Sequence, residues 1–298
     1  MRHSLLATPA VPRTRASAAT LATTGLLANA AVWGLSFVLI RDALRGTSVA
    51  TFLAARFAVA SLALAIPLAL RGSHTVLWRE ARAGAGPGLA LLAGYALQTL
   101  GLQSTTAARG GLITGLSVVF VPPLAHALRG HPLRRRQILA LFPATLGLVL
   151  LDLNGIESLR PSRGDLLILG CAVAFALQIV LLAPRADASE GAGDSAALTF
   201  WQTLYVAVGA LALFPITGER LSLAGMAAAV FLGLAGTAGA LWVQTLAQRH
   251  VSATRVAFAY TFEPLFAALF AVALAGEPLR AATLAGGALI VAAMALGR

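Results

Sequence analysis

The chain has 298 residues, 58% of them hydrophobic and only 11% charged, and its mean hydropathy is +0.83. That excludes a soluble globule of this size, because so much apolar sequence needs lipid as its solvent. The formal net charge of +11 comes from 22 basic residues, every one an arginine; they lie between apolar stretches, where they orient a chain in a bilayer rather than bind nucleic acid.

Residues 1–17, with Pro9, Pro12 and scattered Arg, Ser and Thr, read as a mobile cytoplasmic tail. Crossing about 30 Å of hydrocarbon takes roughly 20 apolar residues as a helix. Ten windows near that length follow in order, at 19–40, 49–70, 86–105, 110–128, 137–151, 164–182, 196–215, 223–247, 254–274 and 281–296. The strands of a membrane barrel alternate apolar and polar residues, whereas these windows are apolar all round. The expected fold class is therefore an all-α polytopic membrane protein with ten transmembrane helices. The first window follows an Arg-containing tail as a secretory signal would, but it continues into a helix-like pattern and reads as a retained span. The short loops leave no room for a separate soluble domain. Cys171 is the sole cysteine, which excludes an internal disulfide and cysteine-pair redox chemistry.

Counted from an inside amino terminus, 14 arginines fall on the inner side and seven on the outer, with Arg56 inside the second span. The bias lies in the first half, at 10 against 3; the second half, at 4 against 4, would not orient itself. Ten spans place both termini in the cytoplasm, and the expected location is the cytoplasmic (inner) membrane.

The stretch from Gln98-Thr99-Leu100 to His131-Pro132-Leu133-Arg134 recurs as Gln244-Thr245-Leu246 to Glu277-Pro278-Leu279-Arg280 at a constant offset of 146 residues, which also places Arg109 on Arg255 and Arg56 on Gln202. The first and sixth windows match at an offset near 142, which pairs Trp33 with Phe175 and Ser36 with Gln178. The chain thus divides into a tail at 1–17, a first five-helix repeat at 18–151, an extracytoplasmic linker at 152–163 and a second five-helix repeat at 164–298. Five spans per repeat is an odd number, so the halves cross the membrane in opposite senses. Weakly similar transmembrane halves of this kind are a sign of secondary transport, with the substrate site at their interface.

Several residue runs carry a resemblance. The Ala-Val-Trp-Gly-Leu-Ser-Phe of 31–37, the mid-span Arg56, the Gln-Thr-Leu-Gly-Leu-Gln of 98–103, the Glu-Pro-Leu-Phe-Ala-Ala-Leu of 263–269 and the Gly-Glu-Pro-Leu of 276–279 together resemble the EamA family of the drug/metabolite transporter superfamily. Their order and duplication extend over essentially the whole chain after residue 18. The resemblance implies two inverted five-helix repeats around a central cavity, and export of amino acids or related small metabolites. One departure is His131, which stands before the fifth span where the family commonly has an acidic residue, as Glu277 does before the tenth.

Candidate site residues follow from the cost of polar groups in lipid. Glu263 falls near the middle of the ninth window, where a carboxylate must face a cavity or a partner; Pro264 after it tends to bend the helix. Glu263 is the proton-coupling candidate, with a structural pair or a neutral hydrogen-bonded acid as the alternative. Arg56 either snorkels, forms a fixed ion pair or meets a substrate carboxylate. Asn29, Trp33, Ser36, Tyr95, Gln98, Thr114, Gln202, Trp242 and Tyr260 are further cavity candidates, and Ser117, Gln178 and Gln244 belong to the same polar set. Such groups must point inward, to line a cavity or to bond between helices. Gly111 with Gly115, and Gly233, Gly236 and Gly239, permit close helix approach, while Arg109 and Arg255 anchor equivalent helix entrances.

A membrane-embedded enzyme would need a concentrated site, but the five histidines are scattered. No lysine exists to form a retinal Schiff base, and no duplicated charged ring or filter-like loop suggests a channel. A non-transporting membrane scaffold stays open. So does a multidrug exporter, although aromatic residues at 7% and three methionines do not suggest an adaptable drug cavity. The expectation is a secondary transporter, not an enzyme, working by alternating access without cofactor or metal. Its partners are a small-molecule substrate and the lipid bilayer, with no nucleic acid; a homodimer stays open.

Overall fold

The structure is a computed structural model that describes residues 13–70, 74–130, 132, 134–152, 161–186, 194–213, 221–251, 253–278 and 281–296. Most of the described residues are helical, and none of them lies in a strand. In the first half the helices are α1 (Arg13–Ala43), α2 (Val49–Leu70), α3 (His74–Leu102), α4 (Ala107–Gly115), α5 (Ser117–Arg129) and α6 (Arg135–Asp152). In the second they are α7 (Arg163–Ala186), α8 (Ser195–Leu213), α9 (Leu223–Gly233), a π-helical turn (Leu234–Gly239), α10 (Ala240–Ala247), α11 (Ala253–Tyr260), α12 (Glu263–Ala275) and α13 (Ala281–Leu296). Among the described residues, six stretches are long and apolar enough to cross a membrane: Ala18–Ala43, Val49–Leu70, Ala107–Arg129, Arg163–Ala183, Ser195–Leu213 and Leu223–Ala247.

Two helices extend beyond the apolar windows: α1 begins at Arg13, within the 1–17 tail, and α3 begins at His74, twelve residues ahead of the window that opens at residue 86. The longer α3 absorbs Glu80, which is buried beside Arg79, its Oε1 3.2 Å from the arginine Nε. The apolar-window criterion stopped short of this polar turn although the helix did not. His131 and residues 153–160 of the linker lie outside the described residues, as do residues 1–12 of the tail.

The starts of α4, α7 and α9 are set by local side-chain acceptors, which satisfy amide groups that the first turn leaves free. Thr106 caps α4 by accepting from the Arg109 N–H at 3.2 Å, and Ser222 caps α9 by accepting from Gly225 at 3.0 Å. Ahead of α7, Ser162 Oγ accepts from the Asp165 N–H while Asp165 Oδ2 accepts from the Ser162 N–H, both at 3.0 Å, a reciprocal capping box. Helices α5 and α12 both end on a left-handed glycine, Gly130 at φ 67° and Gly276 at φ 64°. These two positions are repeat mates at the offset of 146.

Packing follows the repeat. Helix α2 lies on α8 and α6 on α13, each pair being mates in the two halves, while α3 packs on α7 and α8, and α1 on α12. Gly111 makes the α4 and α12 contact close: a Cβ there would sit 2.2 Å from that of Ala267. The outer surface carries Leu62, Ile66, Leu89, Phe142, Leu211 and Leu269, all at least half exposed, as a lipid-facing surface requires.

Candidate functional site

The sequence breaks two helices at the same repeat position, and these breaks frame a cavity. Leu116 separates α4 from α5, and its mate at the offset of 146, Phe262, falls in the turn between α11 and α12. Pro264 suits the second break, since it sits in the first turn of α12 where its missing N–H costs nothing. The first break has Val118 at the matching position. Proline alone therefore does not cause the interruption. The expectation of a bend near Glu263 becomes something more definite: Glu263 is the first residue of a new helix, so its carboxylate lies at the positive end of the α12 dipole.

The cavity has about 500 Å³ of space between its side chains, part of it open to solvent, and it is lined from both halves of the chain. Its wall is built largely of repeat mates. At the offset near 142 these are Trp33 with Phe175 and Ser36 with Gln178. At the offset of 146 they are Tyr95 with Leu241, Gln98 with Gln244, Thr114 with Tyr260 and Ser117 with Glu263. Arg56, Leu91 and Ile179 complete the lining.

Hydrogen bonds hold most of the polar lining in place. Gln244 Nε2 donates to Gln178 Oε1 and Gln178 Nε2 donates to Gln202 Oε1, each at 3.0 Å, and Gln244 Nε2 also reaches Gln248 Oε1 at 3.2 Å. Gln98 Nε2 lies 3.5 Å from Thr114 Oγ1. Trp33 Nε1 donates to the Gly236 carbonyl at 2.8 Å, and its ring centre is 4.8 Å from that of Tyr260. Tyr95 sits between Phe57 and Phe175, at 4.9 and 5.0 Å between centroids, in edge-on contacts favourable for aromatic rings. Glu263, 7% exposed, makes no hydrogen bond or ion pair among the described residues and is the sole carboxylate in the lining.

Of the sequence candidates, Trp33, Ser36, Arg56, Tyr95, Gln98, Thr114, Tyr260 and Glu263 meet in this cavity. Asn29 and Gln202 are buried just outside it; Asn29 Nδ2 donates to the Ala240 carbonyl at 2.8 Å and Gln202 braces Gln178. Trp242 is a correction. It is 43% exposed and faces away from the cavity. Leu241 and Gln244, three residues apart, share the inward face of α10, and a rotation of about 100° per residue carries Trp242 off that face. An indole at the bundle surface keeps its apolar body in contact with lipid, so the rule that polar spans point inward does not bind it. Phe175, Leu241, Leu91 and Ile179 were missed because they are apolar. The repeat offset could have found the first two, as mates of Trp33 and Tyr95.

At one end of the bundle a second polar cluster joins elements from both halves. Glu277 Oε1 accepts from Arg41 Nη1 and from the Ala107 N–H, both at 2.8 Å, while its Oε2 accepts from the Ala108 N–H at 3.2 Å. Beside it, Arg109 pairs with Asp165, which also accepts from Thr105 Oγ1 at 2.8 Å. Arg109 thus does more than anchor a helix entrance, since it ties α4 to the start of α7, whereas its mate Arg255 is exposed. Among the described residues no group of acids, histidines and cysteines could hold a metal ion.

Three comparisons bear on this architecture. A crystal structure of a protein superposes with a TM-score of 0.67 over 94% of this chain and 96% of that one; at 19% identity the likeness is one of fold alone. An uncharacterized transporter from Archaeoglobus fulgidus is 27% identical over 192 residues, which is 64% of this chain and about 60% of that relative's length. The model of the EamA-like transporter family matches residues 20–152 and again 162–297, one match in each half that lines the cavity. With both matches spanning nearly all of the sequence, the chain belongs to the EamA-like transporter family.

Proposed function

We propose that this protein is a secondary transporter that exports amino acids or related small metabolites across the cytoplasmic membrane by alternating access, coupled to protons through Glu263. The observation that carries the reading is the pairing of cavity residues across the repeat. A site whose opposite walls are mates from two halves can be exposed to either side by rocking one half against the other. In this reading α3, α6, α11 with α12, and α13 supply four crossings beside the six long apolar stretches. The ten form two inverted five-helix repeats, with both termini cytoplasmic and the 152–163 linker outside, and the arginine asymmetry supports that orientation.

Proton coupling rests on Glu263 as the one carboxylate in the lining, at a helix start and without a fixed partner among the described residues. Efflux of a metabolite panel from cells with and without the chain identifies the substrate. In liposomes, Glu263→Gln then keeps the side-chain shape while removing the titration. It is expected to abolish pH-gradient-driven efflux but leave exchange between equal substrate pools, because exchange needs the rocking motion without net proton movement. Unchanged gradient-driven efflux removes Glu263 from the mechanism. No flux of any panel member refutes transport itself.

A further inference from the structure

The Arg56 guanidinium has no exposed surface, which rules out snorkelling, and among the described residues it forms no ion pair, which rules out a fixed acid partner there. Its Nε donates to Thr237 Oγ1 at 2.8 Å and its Nη2 reaches the Gly236 carbonyl at 3.4 Å. Its Cζ lies 4.8 Å from the centre of the Tyr95 ring. Both oxygen acceptors come from the π-helical turn. There the Ala240 N–H bonds to the carbonyls of Ala235 and Thr237, so the Gly236 carbonyl is passed over by its α-helical partner and turns to Trp33 and Arg56. The third nitrogen, Nη1, is shut from solvent with no acceptor among the described residues. Leaving a buried charged donor unmatched costs several kcal/mol, and a protein keeps such a group where something else completes it.

We propose that Arg56 is an anion subsite of the cavity, in which Nη1 takes a carboxylate of the bound substrate while the π-helical turn and the Tyr95 face hold the guanidinium in position. The subsite deepens the transport reading by naming one charge its cargo carries. A monocarboxylate fits better than a phosphate dianion, because Arg56 is the one basic side chain in the lining and leaves a single donor, Nη1, unmatched. Thr237 is a positioning residue for Arg56.

The test is binding to the full chain in detergent micelles, followed by tryptophan fluorescence. The probes are phenylacetate against phenylacetamide, leucine against leucinamide, and inorganic phosphate. Each acid is expected to bind about tenfold or more tightly than its amide, the usual margin of a charge-assisted bond over a neutral one, and more tightly than phosphate. Arg56→Gln should erase the acid preference, and Arg56→Lys should keep part of it. Should Arg56→Gln lose its helical circular dichroism, Thr237→Val provides the second arm: the acid affinity falls several-fold while the amide affinity stays. Amides bound as well as acids, no acid bound, phosphate preferred, or an acid preference that survives both variants would each overturn the subsite. Flux of neutral cargo in liposomes without any acid preference sinks the subsite and spares the transport reading. Acid binding with no flux of any cargo does the reverse.

Discussion

Replacing Glu277 by glutamine should unlatch the end of the bundle where α1, α4 and the residues after α12 meet. Glu277 stands after α12 yet closes on α1 and on the start of α4, and Asp165 with Arg109 ties α7 into the same end. Ser36, which lines the cavity, lies five residues before Arg41 on α1, so the cluster sits about 7.5 Å along the helix from the lining. Glutamine keeps one oxygen for the Ala107 N–H but has no acceptor for the Ala108 N–H, a charge-assisted bond worth about 1.5–2 kcal/mol. The Arg41 pair adds only about 0.5 kcal/mol, because that arginine is 37% exposed and screened. A negative charge at the start of α4 contributes about another 0.5 kcal/mol. If these contacts exist only while this end is shut, the loss of about 2.7 kcal/mol shifts the shut-to-open ratio roughly 100-fold. The assay places a reporter behind the latch, Ser36→Cys in a Cys171→Ala chain, and measures its labelling by a membrane-impermeant maleimide applied from each side of the bilayer. Glu277→Gln should raise the rate from one side by tens-fold to about 100-fold, and from the outside if the arginine-based orientation is right. A rate changed by less than about threefold, with thermal stability lowered, would refute the latch and leave Glu277 as a plain helix cap.

Gly111→Ala should lower the unfolding temperature in detergent by the equivalent of about 1–3 kcal/mol, since its Cβ would meet that of Ala267 at 2.2 Å; an unchanged transition would mean α4 and α12 separate without cost. Ser162→Ala removes one arm of the capping box at α7 and should cost about 1 kcal/mol in the same measurement, with a loss well above that pointing to disruption of the Arg109–Asp165 pair. Trp242→Leu should leave substrate flux within about twofold of the parent, because the ring lies on the outer surface; a large drop would bring Trp242 back to the transport path.

The helical, membrane-embedded class was legible from the sequence because window length and all-round apolarity are demanded by the solvent, whatever the packing. The duplication was legible too, and with it the repeat mates that meet in the cavity. Polar residues in spans pointed to Trp33, Ser36, Tyr95, Gln98, Thr114, Tyr260 and Glu263, since lipid gives such groups nowhere else to go. Only the tertiary structure decided the rest. The π-helical turn at Leu234–Gly239 shifts the register of one helix and turns the Gly236 carbonyl toward Arg56, an interaction across 180 residues of chain with no local signature. Glu277 carried a recognisable motif, yet its role depends on the start of α4 lying beside it, 169 residues away. Trp242 was misplaced because residue type was weighed ahead of helical rotation. A sequence states which groups must leave lipid or reach it, but the partner each one finds depends on how the helices turn about their axes when they pack.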